Sequence, residues 1–455
     1  MSVDRRRLFA AFAGVSAGAA TPALAHQPWQ SDPAPRAEID AVSLGVRPDA
    51  EADQSAALQR AIERAAAAGA VLRLIPGNYR VGGLQLPPYA ALAGVAGATR
   101  IVMAGGPSMF AATGSDYVSL TGLVLDGANI ALPEGRGLIH LAQGRAVRIA
   151  DCEIIDCGGD GIKLQAIGGG VAGNSVDAAE CAIFSTDAIG LKIFGNTVRS
   201  AGNGGILVWR GKPGDDGTLV IDNQIENIGN RLGGSGQWGN AVNIFRADNV
   251  IVRGNRIRNA AFSAVRGNSA SNLQIVGNTC SALGEVALFC EFAFAGAVIA
   301  HNIVDGAAVG VGVTNFDKGG RLAVVQGNLI RNLAAARPAG SDRTDIPAIG
   351  ISVEADATVS GNVVENVPGT GIAAGYGAYL RDVAITGNVV RGADYGIAVS
   401  VAPGAGTAVI SDNLISGARL AAIVGREWDK TVTGDLSKDA AGRYAQLSIG
   451  GNRVR

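Results

Sequence analysis

Beyond residue 111 the chain alternates apolar and polar residues around a recurring Gly-Asn pair. Full copies centre on Asn174 (VAGNSV), Asn196 (IFGNTV), Asn255, Asn278, Asn328, Asn362, Asn388 and Asn452. Asp-Asn takes the same frame at Asn223 and Asn413, His-Asn at Asn302, and Ile-Ala-Asp-Cys at 149–152. From Cys152 the spacings are 22, 22, 27, 32, 23, 24, 26, 34, 26, 25 and 39 residues. A period in the twenties with occasional inserts predicts a solenoid. Strict alternation predicts strands, and Gly-Asn supplies the positive φ of a tight corner. About ten residues after each Asn comes a second strand, as in GIKLQ (161–165), GILVWR (205–210) and AVNIFR (241–246). Strand, corner, strand, turn and strand in about 23 residues make one coil of a right-handed parallel β-helix, an all-β fold. Identical corner asparagines then stack from coil to coil as a hydrogen-bonded ladder.

The Gly-Asn pair also serves as a ruler. In the second strand it assigns Ile162/Leu164, Ile206/Val208, Val242/Ile244 and Ile351/Val353 to the interior. The alternate positions face outward: Lys163 and Gln165, Phe184 and Thr186, Leu207 and Trp209, Asn243 and Phe245, Arg266 and Asn268, Phe289 and Glu291. Asp187, Arg210, Arg246, Phe292 and Asn315 follow just past the strand ends. The outward strip is polar and aromatic across the middle coils and bland toward the C-terminus. Inserts at 211–217, 229–239 and 334–347 interrupt nearby coils and are placed to wall a groove.

The first 25 residues change the picture of where the chain works. Asp4-Arg5-Arg6-Arg7-Leu8-Phe9, a short apolar stretch and Ala23-Leu24-Ala25 form an export signal with a cleavage site. The paired arginines read as twin-arginine export, with an ordinary secretory signal as the alternative. The mature chain is expected in the periplasm or secreted, with no transmembrane segment. Residues 26–110 form an N-terminal cap with the first coils. Asp53 caps a helix whose Leu58, Ile62 and Ala65 share one face and which Gly69 ends. Residues 111–425 carry the coils, and 426–455 end or cap them.

Composition excludes some classes. Gly is 66 of 455 residues and aromatics are 5%, which suits many corners around a narrow interior. A net charge of −1 argues against a broad basic face for nucleic acid. Five cysteines cannot all pair; Cys152, Cys157 and Cys181 fall in neighbouring coils, so one bridge stays open beside a reading as small core residues. No Cys–His cluster has zinc spacing, no cofactor is evident, and calcium is conceivable without a recognisable site.

LGVRPDAEADQSAALQRAIERAAAAGAVLRLIPGNYRV resembles the opening of the pectate-lyase-like superfamily, where an Asp-x-x-Ala-(Leu/Ile)-Gln helix precedes a Pro-x-Gly-x-Tyr strand turn; the matching stretches here are DQSAALQ (53–59) and PGNY (76–79). The signal and repeats together also resemble a twin-arginine-exported bacterial family of repeat proteins. The superfamily resemblance implies a right-handed β-helix with a polysaccharide-related role, and hosts lyases, epimerases, hydrolases and adhesins alike. Asp160 and Asp187 resemble acidic positions of polygalacturonases, but no Gly-His-Gly occurs, which speaks against that hydrolysis.

The expected substrate is an extended, acidic polysaccharide or oligosaccharide. Arg266, Glu291 and Asp187 are the candidate catalytic groups: abstracting a proton beside a carboxylate needs a base and a cation. Lys163, Trp209, Arg210, Asn243, Phe245, Arg246 and Asn268 are the candidate binding groups, with Trp238 on an adjoining insert. Asp187 and Glu291 stand four coils apart, about 19 Å at one strand spacing per coil, too far for a glycosidase pair. His140 and His301 each stand alone in the sequence; His301 takes the Gly place of a Gly-Asn corner and reads as structural. The alternative function is a non-catalytic β-helix that binds glycan or envelope partners.

Overall fold

The computed structural model describes residues 36–234, 236–337, 348–438 and 444–455. The export signal and most of the 334–347 insert lie outside the described residues. Within Glu38–Arg455, strands pair in parallel from coil to coil. Ser175–Val176, Ala179–Thr186 and Lys192–Phe194 form one coil, and each pairs with its counterpart in the next: Thr197–Val198, Ala201–Asp215 and Leu219–Ile221. Three parallel ladders therefore run along a parallel β-helix. The pairing of Ala421–Glu427 with Lys430–Thr431 near the C-terminus is antiparallel.

The asparagine ladder is the spine. Asn255 Oδ1 accepts both the backbone N–H of Asn223 (2.9 Å) and its Nδ2 (3.0 Å), while Asn255 Nδ2 donates to Asn278 Oδ1 (2.9 Å) and Val220 O (3.0 Å). The same bonds recur from Asn174 to Asn452. Nearly every member is buried, so the bonds form away from competing water. The residue before each asparagine is left-handed: φ is 66° at Gly173 and 68° at Gly254. His301 (58°), Asp222 (55°) and Asp412 (59°) hold the same corner without the freedom of glycine. His301 is thus a corner residue, in line with its structural reading.

A second restriction governs where each coil enters the outward-facing sheet. Gly161, Ala182, Gly205, Ala241, Ala264 and Ala287 occupy equivalent inward positions, and Gly310, Gly350, Gly371 and Gly396 continue them. A Cβ on Gly350 would lie 2.3 Å from Gly371 O and 2.6 Å from Val364 Cγ1, so the coil narrows too sharply here for a larger side chain. Beyond this corner Ile162, Ile183, Ile206, Val242, Val265 and Leu288 form a fully buried apolar column. All five cysteines are buried and unpaired; Cys152, Cys157, Cys280 and Cys290 belong to the interior, while Cys181 packs with Phe184 and Leu207 on the outward face.

The helix Ser55–Ala67 buries Leu58, Ala61, Ile62 and Ala65 in the same core as Leu72, Leu74 and Tyr79. Its first residue is one later than a cap at Asp53 requires. Asp53 Oδ1 still accepts the Ser55 N–H (2.7 Å), while the cap position falls to Gln54, whose side chain is tied to the Arg47 backbone. No described helix is long and apolar enough to cross a membrane, which says nothing of β-barrels.

Candidate functional site

Strand register places the outward side chains in columns. One column runs His140, Lys163, Phe184, Leu207, Asn243, Arg266, Phe289, as direct Cα partners on successive coils. The next runs Gln165, Thr186, Trp209, Phe245, Asn268, Glu291. These columns agree with the spacing from Gly-Asn, because parity along a strand and the fixed corner leave no other register.

The middle of this face is covered. Arg266 Nη2 lies 2.5 Å from Glu291 Oε1 and its Nε 2.6 Å from the same oxygen, while Asn268 Nδ2 donates to it at 3.1 Å. Both charged side chains are buried, and the guanidinium stands 5.8 Å from the Phe289 ring centre. The described end of the 229–239 insert, 236–239, folds back over them. Asn243 Nδ2 donates to Gln237 O (2.9 Å) and Asn240 Nδ2 to Gly236 O (2.8 Å). Gly236 sits against the guanidinium so closely that a Cβ there would fall 1.2 Å from Arg266 Nη1. Arg266 and Glu291 are brought together, but as a mutually neutralised pair that anchors a loop.

Beside this pair lies an aromatic group. Trp209 meets Phe184 edge-on at 4.8 Å, Phe245 at 5.7 Å, and Trp238 in a stacked arrangement at 5.5 Å. Arg246 lies 4.6 Å from the Phe245 ring centre. Trp209, Trp238, Phe245 and Arg246 are each partly exposed, so the group presents ring surface and a cation together.

The charged end of the strip lies toward the N-terminus. Lys163 Nζ lies 3.4 Å from Asp160 Oδ2 and 3.1 Å from the centre of the Phe184 ring. Asp160 Oδ1 accepts the Cys181 N–H at 3.2 Å. Burial raises the Asp160 pKa against the pull of Lys163, and burial lowers that of Lys163 against the pull of Asp160. His140 is one coil below Lys163 in direct register. Burial, with Arg136 and Lys163 nearby, lowers its pKa to about 4, so the imidazole is neutral at pH 7. Its Nδ1 is buried with no hydrogen-bond partner among the described residues.

Other candidates serve the backbone or stand aside. Asp187 has a left-handed φ of 53° and its Oδ1 accepts the Gly211 N–H at 3.0 Å, capping the corner. Arg210 lies 3.7 Å from the buried Asp216, whose pKa burial raises. Glu354 Oε2 accepts the Phe316 N–H at 2.6 Å, and burial lifts its pKa to about 7. Among the described residues, no group of three or more His, Cys, Asp or Glu side chains is placed to hold a metal ion.

His140 and Asp160 are the site groups that sequence reasoning left unassigned. A signal existed: LIHLA (138–142) matches GIKLQ (161–165) in pattern, and counting one coil backward puts His140 in the same outward position as Lys163. Asp160 lies before the counted strand, at the corner, where alternation gives no direction.

Residues 110–225 match the family model described as a right handed beta helix region. The chain is a right-handed parallel β-helix. Among solved structures it is similar to the N-terminal fragment of bacteriophage Phi29 gene product 12, with 17% identity and a TM-score of 0.53, covering 92% of this chain and 72% of that one. The pre-mature form of that phage protein gives 15% identity and a TM-score of 0.51, covering 91% and 57%. The A-module of the mannuronan C-5 epimerase AlgE6 from Azotobacter vinelandii gives 17% identity and a TM-score of 0.44, covering 91% and 99%. At such identities the likeness is one of fold. No curated protein matches the chain in sequence.

Proposed function

We propose that this β-helix, as an exported protein, binds an extended acidic polysaccharide along the outward strip from His140 to Phe245 and acts on it as a lyase or epimerase. The observation that carries the reading is the junction at Lys163. There a cation over an aromatic ring joins the Phe184–Trp209–Phe245 group to a neutral histidine on the adjoining coil. Ring faces suit the C–H faces of sugars, and Lys163 suits a uronate carboxylate. With the carboxylate so neutralised, the His140 imidazole accepts the proton from the adjacent sugar carbon. The resulting enolate either takes a proton from water on the opposite face, giving the epimer while the imidazolium returns its proton to solvent, or expels the neighbouring glycosidic oxygen, which takes its proton from the imidazolium or water, giving an unsaturated end and a new chain end.

The covered state of Arg266 and Glu291 favours a second reading for the middle of the face, that of a non-catalytic glycan grip. The two readings separate in one experiment. The mature protein is incubated with a panel of acidic glycans while unsaturated-uronate absorbance, reducing ends and epimer ratio are followed. Product that disappears in His140→Ala with binding retained supports the enzyme. Binding without product, lost in Trp209→Ala, supports the grip. Unchanged behaviour of Lys163→Ala and Trp209→Ala toward every responsive glycan overturns both.

A further inference from the structure

Tyr89 and Tyr117 stand outside the strip, at the corner that follows it. Both have left-handed backbones, with φ of 65° and 60°, a conformation in which bulky side chains are rare. Their rings stack at 5.1 Å with 5° between planes, yet Tyr89 is 50% and Tyr117 47% exposed. The Tyr89 N–H donates to Asp116 O and the Tyr117 N–H to Arg145 O, each at 2.9 Å. The repeat of this bond makes Ala146, with φ of 54°, the equivalent residue of the third coil. Tyr89 covers one face of the Tyr117 ring. The coil beyond Tyr117 carries Ala146 at this corner, so a methyl group takes the place where a third ring would continue the stack.

The surroundings choose the occupant. Arg145 is exposed and Arg148, whose neighbour Ile149 is fully buried, lies on the outward side of its strand. Neither forms an ion pair with another described residue, whereas Arg100, Arg231, Arg331 and Arg381 all do. Asp116, next to Tyr117 in the chain, spends Oδ1 on the Arg145 N–H (2.7 Å). An exposed ring with two arginines on the adjoining coil, neither in an ion pair with a described residue, matches a sugar ring that bears a carboxylate.

We infer that Tyr117 is the stacking platform of a second glycan subsite, which takes one uronate residue with Arg145 and Arg148 on its carboxylate. The ligand class follows from the proposed function. The geometry is separate from the strip, so either can fail alone.

The test uses full-length mature protein labelled with fluorotyrosine, with the Tyr117 ¹⁹F signal assigned through Tyr117→Phe. The probes are hexamers of galacturonate, glucuronate, mannuronate and guluronate, with maltohexaose as the neutral control. At least one uronate hexamer is expected to move the Tyr117 signal, and maltohexaose to bind about tenfold more weakly or not at all. Arg145→Ala with Arg148→Ala should cost about tenfold in affinity. Ala146→Phe extends the stack by one ring. It should keep or raise the thermal midpoint while abolishing the response, which a merely structural stack would not do. Lys163→Ala should leave the Tyr117 response intact, separating this subsite from the strip. If no uronate hexamer moves the signal, or Ala146→Phe responds as the parent does, the proposal is overturned.

Discussion

Arg266 and Glu291, on adjacent coils, form a buried ion pair with 2.5 Å between Nη2 and Oε1, roofed by Gly236 of the 229–239 insert. Removing one partner leaves the other charged and dry. Arg266→Ala or Glu291→Ala is therefore expected to cost about 3–5 kcal/mol, and the joint change Arg266→Met with Glu291→Leu much less. Thermal unfolding of the three variants checks this. Single variants that melt like the parent would show the pair to be open to water.

The ladder predicts a gradient along the solenoid. Asn255→Ala strips partners from Asn223, Asn278 and Val220 at once, and at about 1–3 kcal/mol per orphaned buried group the expected loss is on the order of 3 kcal/mol or more. Asn452 closes the ladder and is half-buried. Asn452→Ala should cost on the order of 1 kcal/mol. Equal losses at both positions would mean the stacking along the column carries little of the stability.

His140 sets a pH dependence. Its pKa is lowered to about 4 in the fold from the usual 6.5, chiefly by burial. Between these values the unfolded chain binds the extra proton, so stability is highest above pH 6.5 and falls as pH drops toward 4. His140→Gln should flatten this slope in urea midpoints measured across that range. In a catalytic role, the neutral imidazole keeps the acid limb of the rate profile well below pH 6.5.

Glu354 works in the opposite sense. Burial raises its pKa from 4.5 to about 7, so the folded state holds the proton more tightly than the unfolded chain. Stability is fully present below pH 4.5 and declines as pH rises to about 7, by roughly 3 kcal/mol in all. Glu354→Gln should remove that decline, making the variant the more stable protein at pH 8, while its amide oxygen still accepts the Phe316 N–H. A parent and variant with parallel pH curves would place the carboxyl in water.

Much of this architecture is local and therefore legible in the chain. A left-handed corner at Gly173 or Gly254 and the two-residue alternation of a strand are properties of neighbouring residues. Repetition at a fixed period then dictates stacking. The inward column Ile162–Ile183–Ile206, its outward partners and the asparagine ladder all follow from counting. The same counting reaches His140, since LIHLA (138–142) is one more copy of the frame.

What the tertiary structure alone decided is which outward groups remain available. Alternation puts Lys163 and Arg266 on the same side of the sheet, but not what lies above them. The return of residues 236–239 over Arg266, the capping of Gly211 by Asp187 and the burial around His140 and Glu354 join residues far apart in the chain. Desolvation and ion pairing depend on those distant neighbours. Period and register are therefore written in the sequence, while the charge state and exposure of each candidate group belong to the folded molecule.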